Sequence, residues 1–273
     1  MATSAPVPTA TDDDVCRHLA LGELTVLARI TDSSNNALLV KVMHEGRTQH
    51  AIHKPIRGER PLWDYPDGSL VARERAAYLL SHAGGFDIVP PTILRDGPFG
   101  PGSLQSWIGA VDGVADSGLV EVCPPGQAPP GWIVVLRGED GVGRPVVLAH
   151  ADDPGLRVMA LFDAVINNSD RKGSHILRDA ARLRGIDHGV SLSVEPKVRT
   201  VLWGFIGQPL SAGERARLER VAQAIDTDLR EDLEDLLTTA EIRALSERIV
   251  GLLRTGAFPA PAPGWPAIPW PAL

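Results

Sequence analysis

Alternating and clustered apolar positions of strand length dominate the first part of the chain, and helical periodicity takes over in the last third. Glu23 to Ile30, Ala37 to His44 and Gln49 to Pro55 are strand-length runs. The polar stretch Thr31–Asn36 and the Glu45-Gly46 turn separate them. Three such runs in succession predict a small curled antiparallel sheet and not a βαβ unit. A short helix is expected before them, Val15 to Leu21. A longer one is expected from Ser69 to Ala83, where Leu70, Ala77 and Leu80 share a stripe and Gly84-Gly85 ends it. Between sheet and helix lies an irregular segment, Arg57 to Gly68. Pro90 to Arg95 and Ser103 to Ile108 predict two further strands joined by Gly97-Pro98-Phe99-Gly100-Pro101-Gly102.

Beyond this point periodicity weakens. Residues from about 109 to 131 predict a glycine- and proline-rich connection with a short helix over Gly118 to Val122. Trp132 to Arg137 and Pro145 to Leu148 predict a strand pair, and Leu156 to Ile166 an apolar helix. Val201 to Phe205 is apolar without an assigned element. Ser211 with Glu214, and Thr238 with Glu241, have the spacing of capping boxes and predict helices running to about Arg254. From Phe258 onward prolines alternate with Trp265 and Trp270, which predicts polyproline II or disorder. The expected organisation is a disordered leader (1–14), a mainly β lobe (15–109), a mainly helical lobe (110–256) and a Pro/Trp-rich tail (257–273). The fold class is therefore α+β.

Composition narrows the function. The chain has 273 residues, 44% of them hydrophobic and 22% charged, an ordinary globular balance. A formal charge of −7 argues against a nucleic-acid binder acting through a broad basic face. Two cysteines, Cys16 and Cys123, make neither a disulfide framework nor a zinc site, so a reducing, cytoplasmic setting is expected. No apolar run is long enough to predict a transmembrane segment.

The chemistry concentrates in Asn168-Ser169-Asp170-Arg171-Lys172-Gly173-Ser174-His175 and, ten residues beyond Leu177, in Asp187-His188-Gly189. The latter is expected at the end of a strand running into a tight turn, with the two acids at the ends of a hairpin. Such an arrangement suits a metal–phosphate complex with a hydroxyl oriented beside it. Asp170 would orient or deprotonate that hydroxyl, and Arg171 and Lys172 would stabilise phosphoryl charge. His175 and Asp187 are the candidate metal ligands. Magnesium prefers oxygen donors, so a histidine tilts the site towards manganese. Ordinary turn chemistry explains Asn167 to Asp170 about as well. Lys54, at the end of a predicted strand, would neutralise nucleotide phosphates, with Glu74 on the next helix as its partner. Ser33, Ser34 and Asn35 would cap phosphates through backbone N–H groups, and the strand bearing Gln105 and Trp107 would offer backbone groups to an adenine.

These motifs resemble the phosphatidylinositol 3-/4-kinase-like branch of the protein-kinase-like superfamily. From about residue 20 to 255 the chain is similar to a group of small actinobacterial proteins placed with that branch. The resemblance rests on Lys54-Pro55, R-G-E-R-P-L-W-D-Y-P-D-G (57–68), Val89-Pro90-Pro91-Thr92 and N-S-D-R-K-G-S-H-I-L (168–177). It implies a bilobal kinase-like fold, ATP and Mg2+ or Mn2+ as cofactors, and an unidentified phosphoryl acceptor. In the lipid-kinase pattern D-R-H-x-x-N, Asp170 and Arg171 match the catalytic acid/base and its charge partner, while Lys172 replaces the histidine and His175 the asparagine. In D-F-G, Asp187 and Gly189 match and His188 replaces phenylalanine. Two other functions stay open. One is a nucleotide-binding pseudokinase that engages a protein partner through its cleft or tail. The other is a metal-dependent phosphohydrolase using His150, Asp152, His175, Asp187 and His188.

Overall fold

The structure, a computed structural model, describes residues 11–30, 36–60, 62–65, 68–111 and 116–273. Ser33, Ser34 and Asn35 lie outside the described residues. The chain divides into two compact units, residues 1–59 with 91–107, and residues 60–90 with 108–273.

In the first unit, helix α1 (Asp12–Leu21) precedes an antiparallel sheet of β1 (Glu23–Arg29), β2 (Leu38–His44), β3 (Arg47–Pro55), β4 (Thr92–Gly97) and β5 (Gly100–Ser106), in the order β1-β2-β3-β5-β4. The curled sheet expected from the pattern is present. The helix starts before the expected Val15, and Asp12–Asp14 are not part of a disordered leader. Thr11 and Asp14 form a capping box, each side chain accepting from the other's backbone N–H (3.2 and 3.1 Å). Leu19 packs on Leu38, Val40 and Val42 of β2 and on Ala51, Ile93 and Leu104 of its neighbours. The glycine-rich stretch after Arg95, expected as a loop, is largely strand. A Cβ at Gly97 would stand 2.4 Å from the His53 ring, so the glycine makes room for a fully buried imidazole.

The second unit holds α2 (Leu70–Gly84), a sheet of β6 (Val120–Cys123), β7 (Trp132–Glu139) and β8 (Pro145–Ala151) in the order β6-β8-β7, then α3 (Pro154–Ile166). The hairpin β9 (Ile176–Asp179) and β10 (Arg182–Gly185) follows, and helices α4 (Ala212–Asp226), α5 (Arg230–Leu236) and α6 (Thr239–Thr255) complete it. Both C-terminal capping boxes form as expected. The short helix expected over Gly118 to Val122 is instead strand β6, because β8 offers it a pairing edge that local propensity does not reveal. Val201 to Phe205 contains a buried 3-10 turn. Arg73 on α2 is buried and pairs with Glu241 on α6. Among the described residues no helix is long and apolar enough to cross a membrane.

The Pro/Trp-rich tail is packed, which corrects the expectation of polyproline II or disorder. Phe258 is buried and exchanges backbone hydrogen bonds with Gly207 and Gln208. Ala267 O accepts from Thr200 N and from the Trp203 indole, Ala272 O accepts from Gly173 N, and Trp265 stacks on Trp63. Proline frequency missed this because the tail's carbonyls, not its N–H groups, make most of these bonds.

Burial holds two fully buried histidines, His53 and His150, below the ordinary pKa of 6.5, with Arg95 lowering His53 further. The unfolded chain therefore takes up protons below about pH 6.5 that the folded chain refuses until its own lower pKa values are reached. Stability is expected to be level above that pH and to fall as the pH drops through and below it. Urea midpoints at about pH 7.5 and 5.5 measure this. An unchanged midpoint would contradict it, and His53→Leu should flatten the slope.

Candidate functional site

The site of the second unit begins in an apolar helix that contains one acid. α3 buries Leu156, Met159, Leu161, Phe162, Val165 and Ile166, and among them Asp163, which is 0% exposed. A carboxylate in that setting must be paired. Asp163 accepts hydrogen bonds from Arg171 (3.0–3.2 Å), from the Asn168 amide (2.8 Å) and from the Thr200 hydroxyl (3.2 Å). The helix stops at Asn167, a left-handed C-cap (φ 53). The Asn167 amide donates to Ser193 O and Glu195 O, while its oxygen accepts from Lys197 N. These bonds turn the chain back on itself and fix the start of the 168–175 loop.

The next residues alternate between outward and inward. Asp170 is a quarter exposed, its N–H donating to the Asn168 side chain (3.1 Å) and its carboxylate 3.0 Å from the Lys172 ammonium. Arg171 points the other way and is 0% exposed. Besides Asp163 it donates to Ile186 O (3.2 Å) and to His188 Nε2 (2.7 Å). The charge expected to face a phosphoryl group is thus engaged internally, clamping the Asp170 loop to the Asp187 segment.

The hairpin brings those two segments together. β9 and β10 pair Ile176 with Gly185, and Ile186 N donates to His175 O (3.1 Å) at the base. β10 ends at Gly185, before the Ile186-Asp187 strand end expected from sequence, and Asp187 itself takes φ 60. That conformation is uncommon for a non-glycine residue and least costly for Asp or Asn. One donor atom from each of Asp170, His175 and Asp187 falls within a group spanning 4.8 Å. His175 Nε2 lies 3.6 Å from Asp187 Oδ2, and its Nδ1 is buried with no hydrogen-bond partner among the described residues. Burial lowers the His175 pKa, against the pull of Asp187. The neutral imidazole is the form that ligates a metal.

Glu74, on α2, is buried and accepts from His188 N (3.2 Å), so it supports the Asp187 turn. Lys54 lies in the first unit on β3, in register with Ser103. Gln105 is buried on β5 and donates to Thr92 Oγ1 (2.8 Å). Trp107 follows β5, its backbone N–H donating to His50 O (3.0 Å). His150 does not join the Asp187 group, which corrects the five-residue set considered for a phosphohydrolase. Its Nδ1 lies 2.7 Å from Ala151 O and its Nε2 accepts from Gly204 N (3.2 Å). Among the described residues the metal-capable group comprises Asp170, His175 and Asp187, without His150, Asp152 or His188.

Sequence reasoning missed the frame. Asp163 was detectable as the lone acid of an apolar helix. Asp64, Tyr65 and Lys197 were not, because they meet across 133 residues of sequence, Lys197 Nζ lying 2.9 Å from Asp64 and 3.8 Å above the Tyr65 ring. Burial pushes the Tyr65 hydroxyl up to about 12, and that hydroxyl bonds to Ser169 Oγ (2.7 Å), beside Asp170.

No family model matches the chain. The Golgi casein kinase superposes on 89% of this chain and 74% of its own at a TM-score of 0.51 and 12% identity. The Helicobacter pylori proinflammatory kinase CtkA aligns over 88% of this chain and 94% of its own, with a TM-score of 0.45 and 10% identity. The first likeness is one of fold, and the chain has a kinase-like fold. Protein Rv2133c of Mycobacterium tuberculosis is 46% identical over 268 residues, 96% of each chain. At that identity over nearly the whole length, this chain belongs to the family of Rv2133c.

Proposed function

We propose that the protein is an ATP- and divalent-cation-dependent phosphotransferase, an atypical kinase acting on a hydroxyl of a protein, a metabolite or a lipid head group, with the phosphatidylinositol 3-/4-kinase-like branch as its relation. The observation that carries this is the convergence of Asp170, His175 and Asp187 at the foot of one hairpin. Asp170 orients the acceptor hydroxyl and takes its proton. Lys172, already 3.0 Å from that carboxylate, offsets phosphoryl charge as it develops. Asp187 and His175 would hold the cation, and their oxygen and nitrogen donors suit manganese better than magnesium. The cation, when bound, supplies charge neutralisation to the nucleotide phosphates. Arg171 acts as a positioning residue through Asp163 and Ile186. Lys54 as a phosphate-neutralising lysine, Glu74 as a supporting carboxylate, Ser33, Ser34 and Asn35 as a phosphate cap and the Gln105–Trp107 stretch as an adenine edge belong to the same proposal.

Incubating the protein and a cell extract with γ-labelled or α-labelled ATP, in magnesium or manganese, tests this. Label transferred from the γ position supports the proposal, and transfer from the α position alone replaces it with nucleotidyl transfer. The Lys172–Asp170 ion pair favours a second function, a nucleotide-binding regulator whose acid is already occupied, for which ATP would raise the melting temperature without transfer. Asp187→Ala is expected to weaken metal–nucleotide binding by at least the roughly 10–100-fold that loss of an outer-shell partner costs. Titration of the nucleotide with and without the cation measures it, and equal affinity in variant and parent would remove Asp187 from the site.

A further inference from the structure

The second unit contains a cavity of about 330 Å³ that the proposed transfer chemistry does not use. It lies between α6, the start of the tail and the segment around residue 198, with Val198, Trp203, Leu252 and Phe258 among its apolar walls. Its size falls at the lower end of small-molecule sites. Two cations, Lys197 and Arg248, also line it, and among the described residues no acidic one does.

The two cations differ in how they are satisfied. Lys197 is 1% exposed and has its own counter-ion in Asp64. Arg248 donates through Nε to Val165 O and through Nη1 to Ser193 O, both neutral acceptors at 3.1 Å. Its Nη2 is buried with no hydrogen-bond partner among the described residues. Burial draws its pKa down to about 10, with Tyr65, Glu241 and Glu247 pulling the other way. Its direct hydrogen-bond partners are carbonyl oxygens, and a part-buried guanidinium gains from an opposite charge placed in contact with it.

We propose that this cavity binds a compact amphiphilic monocarboxylate, its carboxylate pairing with Arg248 and its hydrocarbon body lying against Val198, Trp203, Leu252 and Phe258. A neutral hydrocarbon would leave Arg248 as it is, and a cationic amphiphile would add a like charge. Asn167, also in the wall, tethers Ser193, Glu195 and Lys197. An occupant would therefore touch the frame of the loop that carries Asp170.

Octanoate, octanol and octylamine, titrated into the full chain by calorimetry, test the proposal independently of any transfer activity. Octanoate should bind saturably and at least tenfold more tightly than octanol or the amine. Arg248→Met and Gly251→Leu should each weaken octanoate at least tenfold. Gly251 lines the cavity on α6 and a Cβ there meets no atom within 4 Å, so the leucine enters open space and decides the matter if the arginine variant does not fold. Absence of saturable octanoate binding, equal affinity for octanol or the amine, or undiminished octanoate affinity in folded Gly251→Leu would each overturn it.

Discussion

Replacing Asp170 by asparagine is expected to slow phosphoryl transfer by about 10²–10⁴-fold, the range that a positioned general base contributes, while nucleotide affinity stays close to that of the parent. Asparagine keeps the size of the side chain and one acceptor oxygen, so the turn built on the Asp170 N–H and Asn168 persists. It loses the charge that attracts both a hydroxyl proton and the Lys172 ammonium. Single-turnover transfer from γ-labelled ATP gives the rate, and a fluorescent ATP analogue gives the affinity. A variant as fast as its parent would show that Asp170 takes no proton. A parallel Lys172→Met variant separates the two effects, because it frees the carboxylate but leaves the proton acceptor. Its transfer rate should fall less than that of Asp170→Asn if the lysine only offsets charge, and should rise if the ion pair holds the acid in reserve.

Much of this architecture was visible in the chain because local signals and tertiary needs agree. The strand around Ala51 alternates as a half-buried sheet requires, and Ser211 and Thr238 begin helices because their side chains satisfy backbone donors three residues on. The failures share a cause. Strand β6 exists because β8 lies beside it, and the tail is ordered because the 199–203 segment and Gly173 donate to its carbonyls. Each is fixed by a partner distant in sequence, which no local window contains.

The candidate site divides along the same line. Asp170, His175 and Asp187 were legible as a set because a hairpin of ten residues, 176–185, separates the last two, and pairing across it returns the chain to its starting point. The inward turn of Arg171 was not legible. Side-chain type alone makes Arg171 and Lys172 look equivalent, yet one is fully buried on Asp163 and the other is a fifth exposed on Asp170. Burial of Asp163 within α3 decides the difference, since an unpaired carboxylate there would cost more than drawing the guanidinium inwards.

That argument sets the largest expected effect on stability. Arg171→Met should destabilise the protein by about 3–5 kcal/mol, because it removes the counter-ion of a carboxylate that is 0% exposed and leaves it only Asn168 and Thr200. Adding Asp163→Leu should recover much of that loss, since no uncompensated charge then remains buried and the leucine extends an already apolar helix face. The recovery should be confined to stability. Arg171 also donates to Ile186 O and to His188, the residues on either side of Asp187, and neither bond returns in the double variant. Urea midpoints should therefore place the double variant between Arg171→Met and the parent, since Asn168 and Thr200 lose their acceptor, while metal-dependent nucleotide binding remains as weak as in Arg171→Met. A double variant no more stable than Arg171→Met would mean that the pair contributes through packing rather than charge compensation. One that regained nucleotide binding together with stability would mean that the Asp187 segment holds its position without the arginine.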